Sequence, residues 1–92
     1  MKVRLDAARL LVHRAASRLG NARDVGRDAS IAKLFVSESL LATANDVVSI
    51  LGPQALDEGH PAARVLRDAV ASTVYSGTSE IQRNIIARWL GV

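Results

Sequence analysis

The sequence predicts an all-α protein, an antiparallel bundle of about four helices, and three observations carry that expectation. Apolar residues recur at spacings of three and four, the period of a helix face rather than of a strand. Breakers at Gly20-Asn21, Gly52-Pro53, Gly59 and Gly77 divide the 92 residues into four stretches. Hydrophobic residues make up 49% and aromatics only 3%, so aliphatic side chains and alanine must build the core, which suits packed helices better than a sheet.

The first helix is read from Leu5, Ala8, Val12, Ala15 and Leu19, with Leu11 and Ala16 widening the stripe. It spans about four turns and is expected to stop at Gly20-Asn21, residues able to take the left-handed conformation that ends helices. Asn21 to Asp28, containing Gly26, reads as a short charged connection. A second helix is expected from Asp28 or Ser30 to Leu51. Ile31, Leu34, Phe35, Leu41, Ala42, Val48 and Leu51 form one apolar face, and Leu40, Ala44, Val47 and Ile50 form another. A helix apolar on two sides must be covered on two sides, so this is the central one. Glu38 and Asn45 interrupt its stripes, either lining a site or satisfied by a neighbour.

Gly52 to Gly59 reads as a loop. Pro61 suits the first turn of a third helix, whose buried face is Ala62, Val65, Leu66, Ala69 and Val70. The last helix runs from about Ser79 to Leu90, with Ile81, Ile85 and Trp89 on its inner face.

Composition narrows the function classes. There is no cysteine, which excludes disulfides and thiolate metal sites. His13 and His60 stand apart from any ligand cluster, so no metal is expected. No uninterrupted apolar run approaches the ~20 residues of a membrane span, and the charged start Met1-Lys2-Val3-Arg4 is unlike a secretion signal. The expectation is a cytoplasmic protein without a membrane partner. The net charge of +3 divides into +5 over the first 27 residues and −2 over the rest. With no aromatic among the arginines to stack on bases, the basic first helix reads as a solvated face, not a nucleic-acid site.

The stretch with chemical content is Tyr75-Ser76-Gly77-Thr78-Ser79-Glu80-Ile81-Gln82-Arg83. Gly77 permits a tight turn, Thr78 or Ser79 can cap the helix that follows, and Ser79 with Gln82 fits a reciprocal capping box. Such an end gathers free N–H groups and the positive pole of the helix dipole, which suits an anion or a polarised carbonyl, although most capped helices bind nothing. The string, running on to Ile86-Ala87-Arg88, closely resembles the closing signature of the acyl-CoA dehydrogenase family. Leu5-Asp6-Ala7-Ala8-Arg9, Ala32-Lys33-Leu34-Phe35, Ile50-Leu51-Gly52 and Arg67-Asp68-Ala69 follow the family's order and spacing.

The resemblance implies the last part of the family's C-terminal helical bundle, without its N-terminal helical and middle β domains. It also implies FAD as cofactor and an acyl-CoA or related acyl thioester as substrate. Thr78, Ser79 and Glu80 match positions that meet the flavin; Tyr75, Gly77 and Arg88 match substrate positions. Ser76 stands where the family places a catalytic Glu. A serine hydroxyl without an activating partner is a poor base, so only its backbone N–H retains the implied role of polarising the thioester. The family's second flavin contact, a glycine-rich loop from a partner subunit, corresponds to Ser49 through Pro53, where Gly52 is kept and Pro53 removes a donor. The expected protein is an acyl-CoA dehydrogenase fragment, inactive alone and self-associating as a dimer or tetramer. A non-catalytic subunit beside a dehydrogenase partner and a stand-alone helical interaction module are the alternatives.

Overall fold

The computed structural model describes residues 1–20 and 22–92, with the side chains of all of these except Ala22 and Arg23. Four helices, α1 (Lys2–Ser17), α2 (Ala22–Leu51), α3 (Pro61–Ser72) and α4 (Ser79–Trp89), and a 3₁₀ turn at Pro53–Leu56 form the expected bundle. The helix α2 is its axis. Each other helix runs antiparallel to it: Arg4 of α1 pairs with Asp46 and Arg14 with Asp28, Lys33 reaches the end of α3, and Glu38 meets Arg83 of α4. Both short helices rest on α2, α3 on its later half and α4 on its earlier half, joined by residues 73–78. Helices thus pack on more than one side of α2, but neither apolar face read from the sequence is fully covered: Phe35 and Leu51 of one and Leu40 and Ile50 of the other remain exposed.

The earlier start of α2 overturns the expected charged connection, because residues 22–27 are its first turns. Asp24 in the first turn favours the helix dipole and pairs with Arg27 at 3.3 Å. Helix α1 ends sooner than expected, at Ser17, where the Arg18 and Leu19 N–H groups tighten onto Ala15 and Ala16. Asn21 of the expected Gly20-Asn21 stop lies outside the described residues. Gly26 is an exposed interior residue of α2, and a Cβ there would meet nothing within 4 Å. Gly26→Ala is thus expected to stabilise the chain by roughly 0.5 to 1 kcal/mol, read as a higher urea midpoint at unchanged slope.

The arginines at the end of α1 keep the solvent exposure anticipated, 49% at Arg14 and 42% at the C-cap Arg18, and are paired as well. Arg14 and Arg18 converge with Arg27 on Asp28, at 3.3, 3.0 and 3.4 Å, and the Asp28 side chain is only 2% exposed. Burial pushes its carboxyl upward, but Arg27, Arg14 and Arg18 together outweigh that and hold it below the usual carboxylate range. A group whose pKa is depressed by folding stabilises fully above its unfolded pKa and loses that contribution as pH falls through the folded value. The urea midpoint should therefore decline below about pH 4, and Asp28→Asn should flatten that decline while lowering the midpoint at neutral pH.

Packing is thin. The buried apolar residues are Ala32, Ala44, Ala55, Ala63 and Ala69, and no large side chain among those described is fully buried. The radius of gyration is 15.2 Å, against about 12 Å for a compact chain of this length. Several expected faces turn accordingly. Val65 and Val70 of α3 are half exposed while Ala63 and Ser72 are buried; on α4, Ile81 points outward and Ser79 and Gln82 are the buried pair. The loop after α2 is partly ordered as the 3₁₀ turn, which buries Ala55 completely. By length and composition alone Asp24–Leu51 is long and apolar enough to cross a membrane. Here it carries Asp28, Lys33, Glu38 and Asp46, each bonded to a neighbouring helix or turn.

Candidate functional site

The turn between α3 and α4 is closed by the backbone. Val74 and Tyr75 N–H groups both reach the Ala71 carbonyl, and the Ser79 N–H returns to Thr73 at 3.1 Å. Between these bonds the chain takes two successive positive φ angles, 56° at Ser76 and 92° at Gly77. The second is a glycine's natural conformation, whereas Ser76 carries the strain of a side chain in the left-handed region.

The cap differs from the sequence expectation. Thr78 is the N-cap, its Oγ1 accepting the Ile81 N–H at 3.3 Å, and an isoleucine cannot return a bond. The Ser79–Gln82 capping box does not form, because Ser79 already lies inside the helix. Gln82 instead folds back, its Nε2 donating to the carbonyls of Ser76 at 3.2 Å and Gly77 at 3.4 Å. A Cβ on Gly77 would stand 2.5 Å from that amide nitrogen.

A residue that site reasoning missed completes the turn. Lys33 Nζ donates to the Ser72 carbonyl at 2.9 Å and the Gly77 carbonyl at 2.7 Å, and lies 6.0 Å from the centre of the Tyr75 ring. A cation suits the free carbonyls closing α3. The sequence signals were its place in the Ala32-Lys33-Leu34-Phe35 string and a charge on a largely apolar helix stretch, neither of which says what it touches.

With these carbonyls turned inward, the N–H groups of Ser76, Gly77 and Thr78 have no acceptor among the described residues. Ser79 Oγ is buried and also without a partner. The helix end is not wholly free, however. The backbone N–H of Glu80 and the Thr78 hydroxyl, with Arg83 nearby, favour the charged Glu80 carboxylate and hold its pKa below the usual range. That negative charge makes the end better suited to a neutral acceptor or hydroxyl than to a second anion.

Thr78, Ser79 and Glu80 come together in one open cleft of about 320 Å³, walled by Glu38, Leu41 and Val74 and bounded by Arg83. Glu38 thus does line a candidate site, though paired with Arg83. Tyr75 faces away, into a smaller hollow beside Lys33 and Leu40. Ser76 is exposed, and its hydroxyl has no hydrogen-bond partner among the described residues. Nothing there activates it as a base. Arg88 lies about 15 Å along α4 from Thr78. Ser49 and Gly52 are farther still: Ser49 bonds to the Asn45 carbonyl about 24 Å along α2 from Lys33, so one chain does not bring them to the turn. Gly52 has a φ of 86° and opens the 3₁₀ turn ahead of Pro53. His60 caps α3 through Nδ1, and no metal-binding group is present among the described residues.

Residues 1–91 match the model of the acyl-CoA dehydrogenase C-terminal domain. An acyl-CoA dehydrogenase from Bacillus subtilis is 41% identical over 98% of this chain and 24% of its own length. An L-prolyl-[peptidyl-carrier protein] dehydrogenase from Pseudomonas fluorescens is 39% identical over the same shares. Among solved structures, the FAD complex of PigA superposes with a TM-score of 0.89 at 35% identity, covering 99% of this chain and 24% of that one. The chain thus spans about a quarter of the length of the relatives it matches.

Proposed function

Because the chain belongs to the acyl-CoA dehydrogenase family through its C-terminal domain, we propose that it forms part of a flavin-dependent dehydrogenase that desaturates an acyl thioester. One observation supports this use of the turn above the others. The buried Ser79 hydroxyl is without a partner among the described residues, and the accessible Ser76, Gly77 and Thr78 amides have no acceptor within the chain, so this turn offers a donor set to a ligand.

FAD fits that donor set through its hydroxyl and carbonyl oxygens, with Thr78 and Ser79 holding it and Glu80 accepting from a hydroxyl. The flavin, when bound, supplies the hydride acceptor. The chain's own part is to bind and orient: the Ser76 N–H draws electron density from the thioester carbonyl and so acidifies the neighbouring carbon. The substrate is an acyl group on CoA or on a carrier protein, and Arg88 contributes a positive charge toward its phosphate-bearing end. A base within the turn is lacking, so in this reading the isolated chain does not catalyse desaturation.

Ser49 and Gly52 reach a flavin only from a second copy. Exposed Leu10, Leu19, Ile50 and Leu90, each at least 70% accessible, favour such self-association. Ser76 also keeps open a non-catalytic subunit beside a dehydrogenase partner.

The test is the visible spectrum of the purified chain after FAD is added and excess removed, with its size followed by sedimentation. The expected result is retained flavin absorbance on a species larger than a monomer. A helical but colourless chain would overturn the cofactor assignment.

A further inference from the structure

We propose that Lys33 is a positioning residue for the turn: its ammonium fixes the Gly77 carbonyl inward and thereby aims the Thr78 N–H outward as a donor. This deepens the reading of the turn as a flavin- and thioester-facing array and rests on it.

The argument starts from the planarity of the peptide. No peptide among the described residues is cis, so the N–H of each unit points opposite to its C=O. Lys33 Nζ holds the Gly77 oxygen at 2.7 Å, which directs the Thr78 N–H away from α2. Gln82 Nε2 holds the Ser76 oxygen at 3.2 Å, which directs the Gly77 N–H away from α4's buried face. Two consecutive amides are thus presented because two consecutive carbonyls are held.

The two clamps are not equal. Gln82 belongs to the helix the turn opens and moves with it. Lys33 sits on α2, and its second bond, to Ser72 at 2.9 Å, ties the same ammonium to the end of α3. One cation therefore sets the turn relative to the axis of the fold and to both flanking helices. Its bonds are charge-assisted, stronger than those of the Gln82 amide. Without it, the positive φ values of Ser76 and Gly77 would have to persist on Gln82 alone. A flip of the 77–78 peptide would then turn a carbonyl outward where a donor is needed.

Nuclear magnetic resonance on the 92-residue chain reads this directly. In the wild type, a through-hydrogen-bond coupling is expected between Lys33 Nζ and the Gly77 carbonyl carbon. In Lys33→Met, which keeps the stem and removes the donors, the N–H dipolar couplings of Gly77 and Thr78 should depart from the alignment of the helices. Ala44→Gly, which weakens α2 away from the turn, should leave them in place. A folded Lys33→Met chain with unchanged couplings overturns the proposal. So does a wild type without the Nζ–carbonyl coupling, a result that stands even if the variant fails to fold. Adding FAD separates this from the site reading: couplings that behave as expected while no turn amide shifts would uphold Lys33 and count against the flavin.

Discussion

Gly77→Ala is expected to destabilise the chain by about 2 to 4 kcal/mol, the sum of a strained left-handed backbone and a displaced buried amide. At φ 92° an L side chain is strained whatever the space around it, and here the space is also taken. Gln82 ends a flexible side chain, which ordinarily yields cheaply. It is only 6% exposed, however, and its amide carries both bonds to the turn, so yielding leaves the Ser76 and Gly77 carbonyls with less than their share. Gly52→Ala is the control. It has a similar φ of 86°, and its added Cβ would meet the Gln54 side chain at 3.0 Å, but Gln54 is exposed, so water can replace the bond its Nε2 donates to the Leu51 carbonyl when it swings away. That substitution should cost about 1 kcal/mol, the backbone share alone. Equal urea midpoints for the two variants would show that Gln82 contributes nothing to the difference. The effect matters because a chain of this length has only about 5 to 14 kcal/mol in total, and a core made of alanines argues for the lower part of that range.

The same pair of side chains shows where the sequence was legible. Helix period, Pro61 at the start of α3 and the positive φ at Gly77 are local properties, and each is found in the fold. What failed were statements about partners. Gly26 and the charges around it read as a connection because helix propensity there is poor, yet Asp28 receives Arg14 from α1 and Arg18 from its C-cap, inside the longer α2. Gln82 was assigned to the backbone N–H of Ser79 in a capping box and instead donates to two carbonyls behind it. Lys33 appeared only as part of a family string, since no spacing rule connects it to residues 39 and 44 positions away.

The site divides along the same line. Thr78, Ser79 and Glu80 are neighbours in sequence and share one cleft, so their grouping could be read. Ser49, Gly52 and Arg88 were joined to them only by resemblance, and the length of α2 and α4 separates them within one chain. A fold built as helices along a single long axis cannot fold its own ends together. In the proposed cofactor assembly the Ser49 and Gly52 end therefore comes from a second copy, and the exposed Leu10, Leu19, Ile50 and Leu90 support that proposal.

Ser76→Glu is expected to have the largest functional effect, a gain of roughly 10²- to 10⁴-fold in desaturation, when this segment replaces the matching part of a catalytic relative that carries Glu there. The parent substitution should first lose about that factor, because a hydroxyl with no partner cannot take a carbon-bound proton near neutral pH. Folding should hardly register the change. Ser76 is exposed and already in the left-handed region at φ 56°, where glutamate and serine are strained alike, so stability should shift by only about 0.5 kcal/mol. That separation makes the result interpretable: a carboxylate placed beside the Ser76 amide would remove the proton that the amide helps to acidify, raising kcat while KM stays close to constant. A chimaera that is fully active with serine would place the base outside this turn. One that stays inactive with glutamate, while retaining flavin, would show that Ser76 does not face the acyl carbon.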